Sequence, residues 1–283
     1  MGGKIERVKK ILFVTGTDTG VGKTVLTALL LAFLRERGAR VLAMKPFCSG
    51  SRGDARLFQR LQREYLTPDP QSEGGFRRRD ADGCCRGDRA PGKAANWGLD
   101  EINPFYFSRP LAPGATAREG GQNVPLRAVL AKIHAAADNC DLLLVEGVGG
   151  VMVPLGRDYT VRDLIGRLEC KTIIVCPNRL GTINHTLLTV EVLKNAGIEG
   201  FTIAMMGVKN PDISAAGNPR MIRRMLPLTP VFCVPHLGLR AGTAGAVKKN
   251  VKYLKKTLAQ LVGDGIVRNV LSQNDKRLDN RSC

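Results

Sequence analysis

Several features are scarce or missing in this sequence of 283 residues, and each absence argues against a class of protein. No apolar run approaches the length of a membrane-spanning helix, which argues against an integral membrane protein. The charged N-terminal residues lead directly into a β-like segment, without the apolar stretch of a signal peptide. The eight cysteines include no Cys-x-x-Cys pair, which favours a reducing compartment and argues against structural zinc. We therefore expect a cytoplasmic protein.

Aromatic residues are also scarce, at 5% of the chain, although 43% of the residues are hydrophobic. The core must then be built from Leu, Val, Ile and Ala, and a chain with this much apolar material is not disordered throughout. The length suits one large α/β domain. We predict a single domain over residues 1–263, a flexible polar insert at about 67–100, and a polar C-terminal tail over 264–283.

Acidic residues are few, 25 against 43 basic ones, so the formal net charge is +18. A basic surface can indicate nucleic-acid binding. However, the densest lysine run, 246–261, has apolar residues along one helical face, and no nucleic-acid-binding module accompanies it. We therefore predict an amphipathic surface helix that attracts small anionic substrates, with no nucleic-acid or membrane partner. Its five lysines are Lys248, Lys249, Lys252, Lys255 and Lys256.

Short apolar runs alternate with segments of helical periodicity along most of the chain. Strands that are apolar on both faces and alternate with helices are typical of a mostly parallel, doubly wound α/β sheet with helices on both faces. The predicted strands are 10–15, 40–44, 141–145, 171–176, 201–206 and 230–234, and the predicted helices are 24–37, 54–62, 126–137, 160–168, 184–196 and 246–261.

The most informative motif is Gly-Thr-Asp-Thr-Gly-Val-Gly-Lys-Thr over residues 16–24, between a predicted strand and a predicted helix. A glycine-rich loop in this position is typical of a P-loop, whose backbone amides wrap a phosphate chain. Lys23 would reach the β- and γ-phosphates and Thr24 would hold Mg²⁺. The first glycine lies at Gly16, one residue earlier than in the standard spacing.

Magnesium bound through one hydroxyl and phosphates needs acidic partners at neighbouring strand ends. Glu146 ends an apolar strand and precedes the glycine-rich residues 147–150. Asp54 is a second candidate, although it equally fits an acidic residue at a helix N-terminus. Lys45 ends the second predicted strand beside the P-loop, where a cation could stabilise a transferring phosphoryl group. A solvated lysine is the alternative for Lys45.

Taken in order, these segments and several others resemble the dethiobiotin synthetase family of P-loop enzymes, from about residue 10 to residue 260. The P-loop together with Lys-Pro-Phe-Cys-Ser-Gly is the most specific part of the resemblance. The segments are 16–24, Lys45 to Gly50, Asp54-Ala55, Asn103-Pro-Phe, Pro110-Leu-Ala-Pro113, Glu146 to Gly150, and Leu180 to Leu188.

The resemblance implies that the chain binds ATP and Mg²⁺, acts on 7,8-diaminopelargonic acid and CO₂, and forms a homodimer. The implied catalytic residues are Lys45, Lys23, Thr19 and Ser49, and the implied metal ligands are Thr24, Asp54 and Glu146. The implied nucleotide contacts are Gly16, Thr17, Asp18, Thr19, Gly20, Val21, Gly22, Lys23, Thr24, Glu146, Gly149, Asn210 and Pro235. The implied substrate contacts are Ser49, Pro113, Gly150, Gly181, Thr182 and Asn184.

Two positions depart from the family pattern. Gly114 follows Pro113 where the family commonly has histidine, and Asn210 stands several residues beyond the strand after which an adenine-reading asparagine is expected. Two other classes remain as alternatives. A ParA- or MinD-like partitioning ATPase would have a second lysine early in the loop, where this chain has Asp18. An amide-forming enzyme of cobalamin synthesis would normally also have a glutaminase domain.

Overall fold

The computed structural model describes residues 11–64, 97–263 and 265–266. Eight strands, numbered in chain order, lie in this part of the chain: β1 Ile11–Gly16, β2 Val41–Met44, β3 Phe47–Ser49, β4 Phe105–Phe107, β5 Leu142–Glu146, β6 Lys171–Pro177, β7 Phe201–Met206 and β8 Val231–Val234. Six of them form a sheet with the order β2-β5-β1-β6-β7-β8, in which every neighbouring pair is parallel. This confirms the predicted fold class.

Nine α-helices accompany the strands in the described part of the chain: α1 Lys23–Arg35, α2 Gly53–Glu64, α3 Leu99–Ile102, α4 Pro113–Arg118, α5 Leu126–Ala137, α6 Val161–Leu168, α7 Thr182–Asn195, α8 Asn218–Met225 and α9 Ala244–Val262. They pack around the sheet in groups, α1 with α2 and α9, α5 with α6, and α7 with α8. Strands β1, β2 and β5 are buried along their whole length, and their sequences are apolar except near the carboxyl ends of β1 and β5.

The lysine-rich helix α9 has the predicted amphipathic character. Val247, Val251 and Leu258 are buried on the face that packs against α1, and all five lysines are exposed on the other side. Lys248 pairs with Glu64 at 3.0 Å. Such exposed pairs contribute little to stability, so the apolar face is what fixes this helix.

Several short elements were not predicted from the sequence. β3 and β4 form a separate parallel pair, and α3, α4 and α8 have four, six and eight residues. Elements this short carry little periodicity, so the hydrophobic pattern does not reveal them. The β3–β4 pair matters for the site, because it lies directly after Lys45.

Most of the predicted insert at 67–100 and of the predicted tail at 264–283 lies outside the described residues. Where the end of the insert is described, Trp97 is only 8% exposed and helix α3 begins at Leu99. The polar excursion therefore gives way to packed structure before residue 100. Among the described helices, none combines the length and apolar character required to span a membrane.

The strand order determines what meets at one edge of the sheet. β5 lies between β2 and β1. All three strands run in the same direction, so Lys45 after β2, Glu146 at the end of β5, and the loop after β1 emerge side by side. In open parallel sheets this edge is where ligands bind.

Candidate active site

The loop between β1 and α1 has the glycines that its backbone requires. Gly20 and Gly22 have φ angles of 73° and 103°, which other residues rarely adopt, and Gly22 is the N-cap of α1. At Gly16 the requirement is space, because a Cβ there would lie 2.7 Å from Cγ2 of Val21. Packing within the loop thus accounts for the early glycine. A loop of this kind at a helix N-terminus binds phosphate through backbone amides.

Lys23, the first residue of α1, is folded back onto the loop. Its Nζ donates hydrogen bonds to the carbonyl oxygens of Asp18, at 2.7 Å, and Gly149, at 2.9 Å. Burial lowers the pKa of Lys23 to about 8, and the positive charge of Lys45 acts in the same direction. The carboxylates of Glu146, Asp18 and Asp54 oppose this shift in pKa only partly.

The lowered pKa of Lys23 predicts that affinity for an ATP analogue falls as the pH rises above about 8. The bound phosphates require the ammonium form, and above this pKa the free protein must first take up a proton. With one linked proton the association constant should fall by up to about tenfold per pH unit. Fluorescence titration between about pH 7.5 and 9.5 at constant free Mg²⁺ measures this association constant. Lys23→Gln should bind the analogue more weakly, with an affinity that does not depend on pH. An affinity that is independent of pH in the parent protein would contradict the prediction.

Lys45 lies between two carboxylates. Its Nζ is 2.6 Å from Oε1 of Glu146 and 2.5 Å from Oδ2 of Asp54. Lys45 and Glu146 are 7% and 1% exposed. Burial by itself would lower the pKa of Lys45, but the two carboxylates outweigh burial and raise it above its ordinary value. Lys45 is therefore a buried, charged side chain, and the solvated-lysine alternative does not apply.

The residues predicted to hold magnesium come together around the same point. Oγ1 of Thr24 donates to Oε1 of Glu146 at 2.8 Å, and both Glu146 and Asp54 contact Lys45. The other oxygen of Glu146, Oε2, is buried and has no hydrogen-bond partner among the described residues. One hydroxyl and two carboxylates, completed by phosphates and water, suit Mg²⁺, so these residues fit the ion. Asp54 also lies in the first turn of α2, so its two predicted roles are compatible.

A cavity of about 530 Å³ connects these groups with Ser49, one of the predicted substrate residues. Oγ of Ser49 is buried in its wall and has no hydrogen-bond partner among the described residues. Cys48 and Ser51 also line the cavity, although the sequence analysis assigned no role to either of them. The lining residues are Thr19, Gly20, Gly22, Lys23, Thr24, Val25, Lys45, Cys48, Ser49, Ser51, Asp54, Pro110, Leu111, Ala112, Glu146, Val148, Gly149 and Val153.

The glycine-rich segment after β5 packs against the P-loop. Gly149 has a φ angle of 59° and offers its carbonyl oxygen to Lys23. A Cβ on Gly150 would lie 3.3 Å from the carbonyl oxygen of Thr17, closer than most such contacts. This close approach requires small residues, which explains the Gly-Val-Gly-Gly sequence at a site that must bring Glu146 near the loop.

Gly114, where the family pattern has histidine, is enclosed by backbone. Its N–H donates to the carbonyl oxygen of Pro154 at 2.9 Å, and a Cβ would lie 2.6 Å from the carbonyl oxygen of Gly156. A side chain at this position would therefore require the 154–156 segment to move. Pro113 begins α4 and is buried, whereas the three residues before it, 110–112, line the cavity.

The start of α7 lies away from this cavity. Gly181, the N-cap with a φ of 89°, and the following Thr182 and Asn184 are not among its lining residues. Other α7 residues instead line a second depression of about 480 Å³ beside the P-loop, together with Thr17, Asp18 and Gly150. The exposed apolar side chains Met152 and Leu188 belong to it.

The candidate nucleotide contacts Asn210 and Pro235 are exposed beyond the ends of β7 and β8. Gly207 directly follows β7, and a Cβ there would lie 2.6 Å from the backbone nitrogen of His236, so the position is closed to a side chain. Two amide side chains near this edge, those of Asn178 and Asn218, were not predicted, and Asn218 Nδ2 donates to Oδ1 of Asn178 at 3.1 Å. The Nδ2 of Asn178 donates to the carbonyl oxygen of Ala215 at 3.0 Å.

The parallel sheet, the phosphate-binding loop and Glu146 at the end of the neighbouring strand define a P-loop nucleotide-dependent protein of the α/β class. Residues 10–72 and 92–241 match a family described as an AAA domain. The solved structure of pNOB8 ParA bound to nonspecific DNA superimposes with a TM-score of 0.51 at 10% identity, covering 95% of this chain and 99% of that one. At this identity the likeness shows the fold alone.

Sequence relatives are more specific. The ATP-dependent dethiobiotin synthetase BioD of Bacillus licheniformis is 35% identical over 249 residues, 87% of this chain and 92% of the relative. The protein of the same name from Aquifex aeolicus is 34% identical over 226 residues, covering 80% of this chain and 89% of the relative. The chain belongs to the dethiobiotin synthetase family, whose members are ATP-dependent enzymes of the ligase type.

Proposed function

We propose that this chain uses ATP and CO₂ to convert 7,8-diaminopelargonic acid into dethiobiotin, with release of ADP and phosphate. The observation that carries the proposal is the ammonium group of Lys45 beside the P-loop, held by Glu146 and Asp54 in the cavity that Ser49 lines. A buried cation at this position suits a reaction in which two negatively charged reactants must meet.

The reaction proceeds in three steps that conserve atoms and charge. One substrate amine adds to CO₂ and loses a proton, which gives a carbamate. A carbamate oxygen then attacks the γ-phosphorus of ATP, ADP leaves, and a carbamic–phosphoric anhydride forms. The second amine attacks the carbonyl carbon and expels phosphate, which closes the cyclic urea and releases the second proton.

The side chains of the cavity supply charge and orientation. Lys23 and the loop amides from Gly16 to Thr24 hold the phosphate chain. Lys45 neutralises charge between the carbamate oxygen and the γ-phosphate, and Ser49 and Thr19 orient the carbamate through their hydroxyl groups. Thr24, Asp54 and Glu146 would hold Mg²⁺, which would neutralise phosphate charge when it is bound.

The homodimer supplies the remaining substrate contacts. The exposed side chains of Met152 and Leu188, 52% and 56% exposed, form an apolar surface beside the P-loop that a second copy would cover. The N-terminus of α7, at Gly181, Thr182 and Asn184, binds the substrate carboxylate near this interface. Pro113 and Gly150 contribute to the substrate site, and Asn210 and Pro235 to the nucleotide site.

Phosphate release should require 7,8-diaminopelargonic acid, because the nucleophile is a carbamate made from that substrate and water is excluded from the closed site. Phosphate is measured with Mg-ATP and bicarbonate, with and without the diamine, while dethiobiotin is followed by mass spectrometry. Equimolar phosphate and dethiobiotin are expected. Phosphate release that does not depend on the diamine but increases with DNA or liposomes would instead indicate a partitioning ATPase.

A further inference from the structure

Arg52 lies between β3 and α2, outside the predicted site, and its guanidinium group joins two separate segments of the chain. Nε donates to Oδ1 of Asn103 at 2.9 Å. Nη2 faces three oxygen acceptors, the carbonyls of Leu99 and Asn103 at 3.0 and 2.9 Å and Oδ1 of Asp100 at 2.7 Å. The Arg52 side chain is only 16% exposed. Arg52 therefore anchors the 99–103 segment to the start of α2.

Asn103 continues the link toward the site. It is 1% exposed, and its Nδ2 donates to the carbonyl oxygens of Lys45 at 3.0 Å and Pro46 at 3.2 Å. The backbone N–H of Lys45 also donates to the carbonyl of Ile102 at 2.9 Å. Both polar groups of the Lys45 backbone are thus held by the segment that Arg52 anchors.

The same arginine stands at the start of the helix that carries Asp54. Asp54 follows Arg52 by two residues and lies in the first turn of α2. One network of hydrogen bonds therefore fixes the backbone of Lys45 on one side and the helix start of Asp54 on the other. Lys45 and Asp54 are two of the three charged groups that meet here, and the third is Glu146 at the end of the buried strand β5.

We propose that Arg52, acting through Asn103, is a positioning residue that holds the Lys45 ammonium and the Asp54 carboxylate in the relative positions that phosphoryl transfer requires. The inference rests on the proposed function. Arg52 does not line the cavity, and the contacts of its Nε and Nη2 are all to protein atoms. Its effect on the reaction is therefore transmitted through the placement of Lys45 and Asp54.

Loss of the hydrogen bonds from Arg52 through Asn103 to Lys45 should lower kcat more than it weakens the binding of ATP or the diamine. Small displacements of a catalytic cation reduce transition-state stabilisation steeply, so Arg52→Gln and Asn103→Ala should each lower kcat by about tenfold. The ATP dissociation constant should change by less than about twofold, because the P-loop amides and Lys23 remain in place. The KM for the diamine should likewise be nearly unchanged.

Arg35 provides a matched control at the opposite end of the same elements. Its Nε donates to the carbonyl of Val41, where β2 begins, and its Nη1 to the carbonyl of Gln62, in the last turn of α2. Arg35→Gln should lower the melting temperature without lowering kcat at a temperature where the protein is folded. Asp100→Asn removes only the negative charge of a side chain that is 91% exposed, so it should leave both kcat and the melting temperature unchanged.

The experiment measures kcat, KM, the dissociation constant of an ATP analogue and the melting temperature for all variants and for Arg52→Gln/Asn103→Ala. Because both residues act through one link, the double variant should lose no more kcat than the worse single variant. Losses that multiply, a normal kcat in both single variants, or an equal loss in Arg35→Gln would overturn the proposal. If Arg52→Gln does not fold, Arg52→Lys replaces it in the same comparison. Lysine keeps the positive charge but lacks the guanidinium group that donates to several acceptors at once.

A parent protein that makes no dethiobiotin would contradict the proposed function. An active parent whose Arg52 variants are equally active would contradict the positioning role alone.

Discussion

Replacing Glu146 by glutamine is expected to lower turnover by on the order of a thousandfold, the upper range for the loss of one preorganised electrostatic group. The substitution keeps the size of the side chain but removes the charge that faces Lys45 and Thr24. Glu146 acts in two ways at this point, as a proposed Mg²⁺ ligand and as the buried partner that holds Lys45. Both functions are lost together, so the effect should exceed that of any other single carboxylate in the cavity.

Steady-state phosphate release and the Mg²⁺ dependence of nucleotide binding, compared between Glu146→Gln and the parent, measure this loss. Glu64→Gln serves as the control. Glu64 pairs with Arg60 and Lys248 at the surface, so its replacement should leave turnover unchanged. Circular dichroism checks that the fold is retained. Near-normal turnover and Mg²⁺ affinity in Glu146→Gln would show that the metal assignment is wrong.

Replacing Lys45 by glutamine should lower turnover by about a hundredfold, close to 3 kcal/mol of transition-state stabilisation. In the proposed mechanism the Lys45 ammonium lies between the carbamate oxygen and the γ-phosphate, where charges of the same sign must come into contact. Affinity for ATP should change much less, because Lys23 and the loop amides remain. The melting temperature should fall, because Glu146 is left buried without the cation that balances its charge.

The test measures both kcat at saturating substrates and the ATP dissociation constant for Lys45→Gln. Lys252→Gln, on the exposed face of α9, is the control. A collapse of ATP binding together with normal turnover at saturation would make Lys45 a nucleotide anchor. Arg52→Gln should resemble a weaker version of Lys45→Gln, with the same pattern of lowered kcat and retained binding. This relation ties the positioning role to the mechanism.

The sequence predicted the main sheet because most residues of its strands are buried and apolar, and it predicted helices α5 and α9 because their periodicity is sustained. The short elements were not predictable in this way. β3 and β4 are three residues each and pair across 58 positions of sequence, as Phe47 with Phe105 shows. Nothing in either segment alone carries that information, since only the packed fold brings the two together.

The P-loop is local in sequence, so its chemistry could be predicted from residues 16–24 alone. Glu146 and Asp54 could be nominated because parallel strands end at a common edge. The tertiary structure alone decided that β5 lies between β2 and β1, which brings Glu146 to Lys45 and Thr24.

Contacts between distant segments account for the rest. The enclosure of Gly114 by residues 154–156 and the link from Arg52 to Asn103, 51 positions apart, depend on the three-dimensional path of the chain. The sequence by itself determined which chemical groups this protein possesses and the strand ends at which they occur, because these follow from local pattern. Which groups face one another was decided only by the packing of the sheet and its loops, because hydrogen bonds and ion pairs act over a few ångströms of space, whatever the separation along the chain.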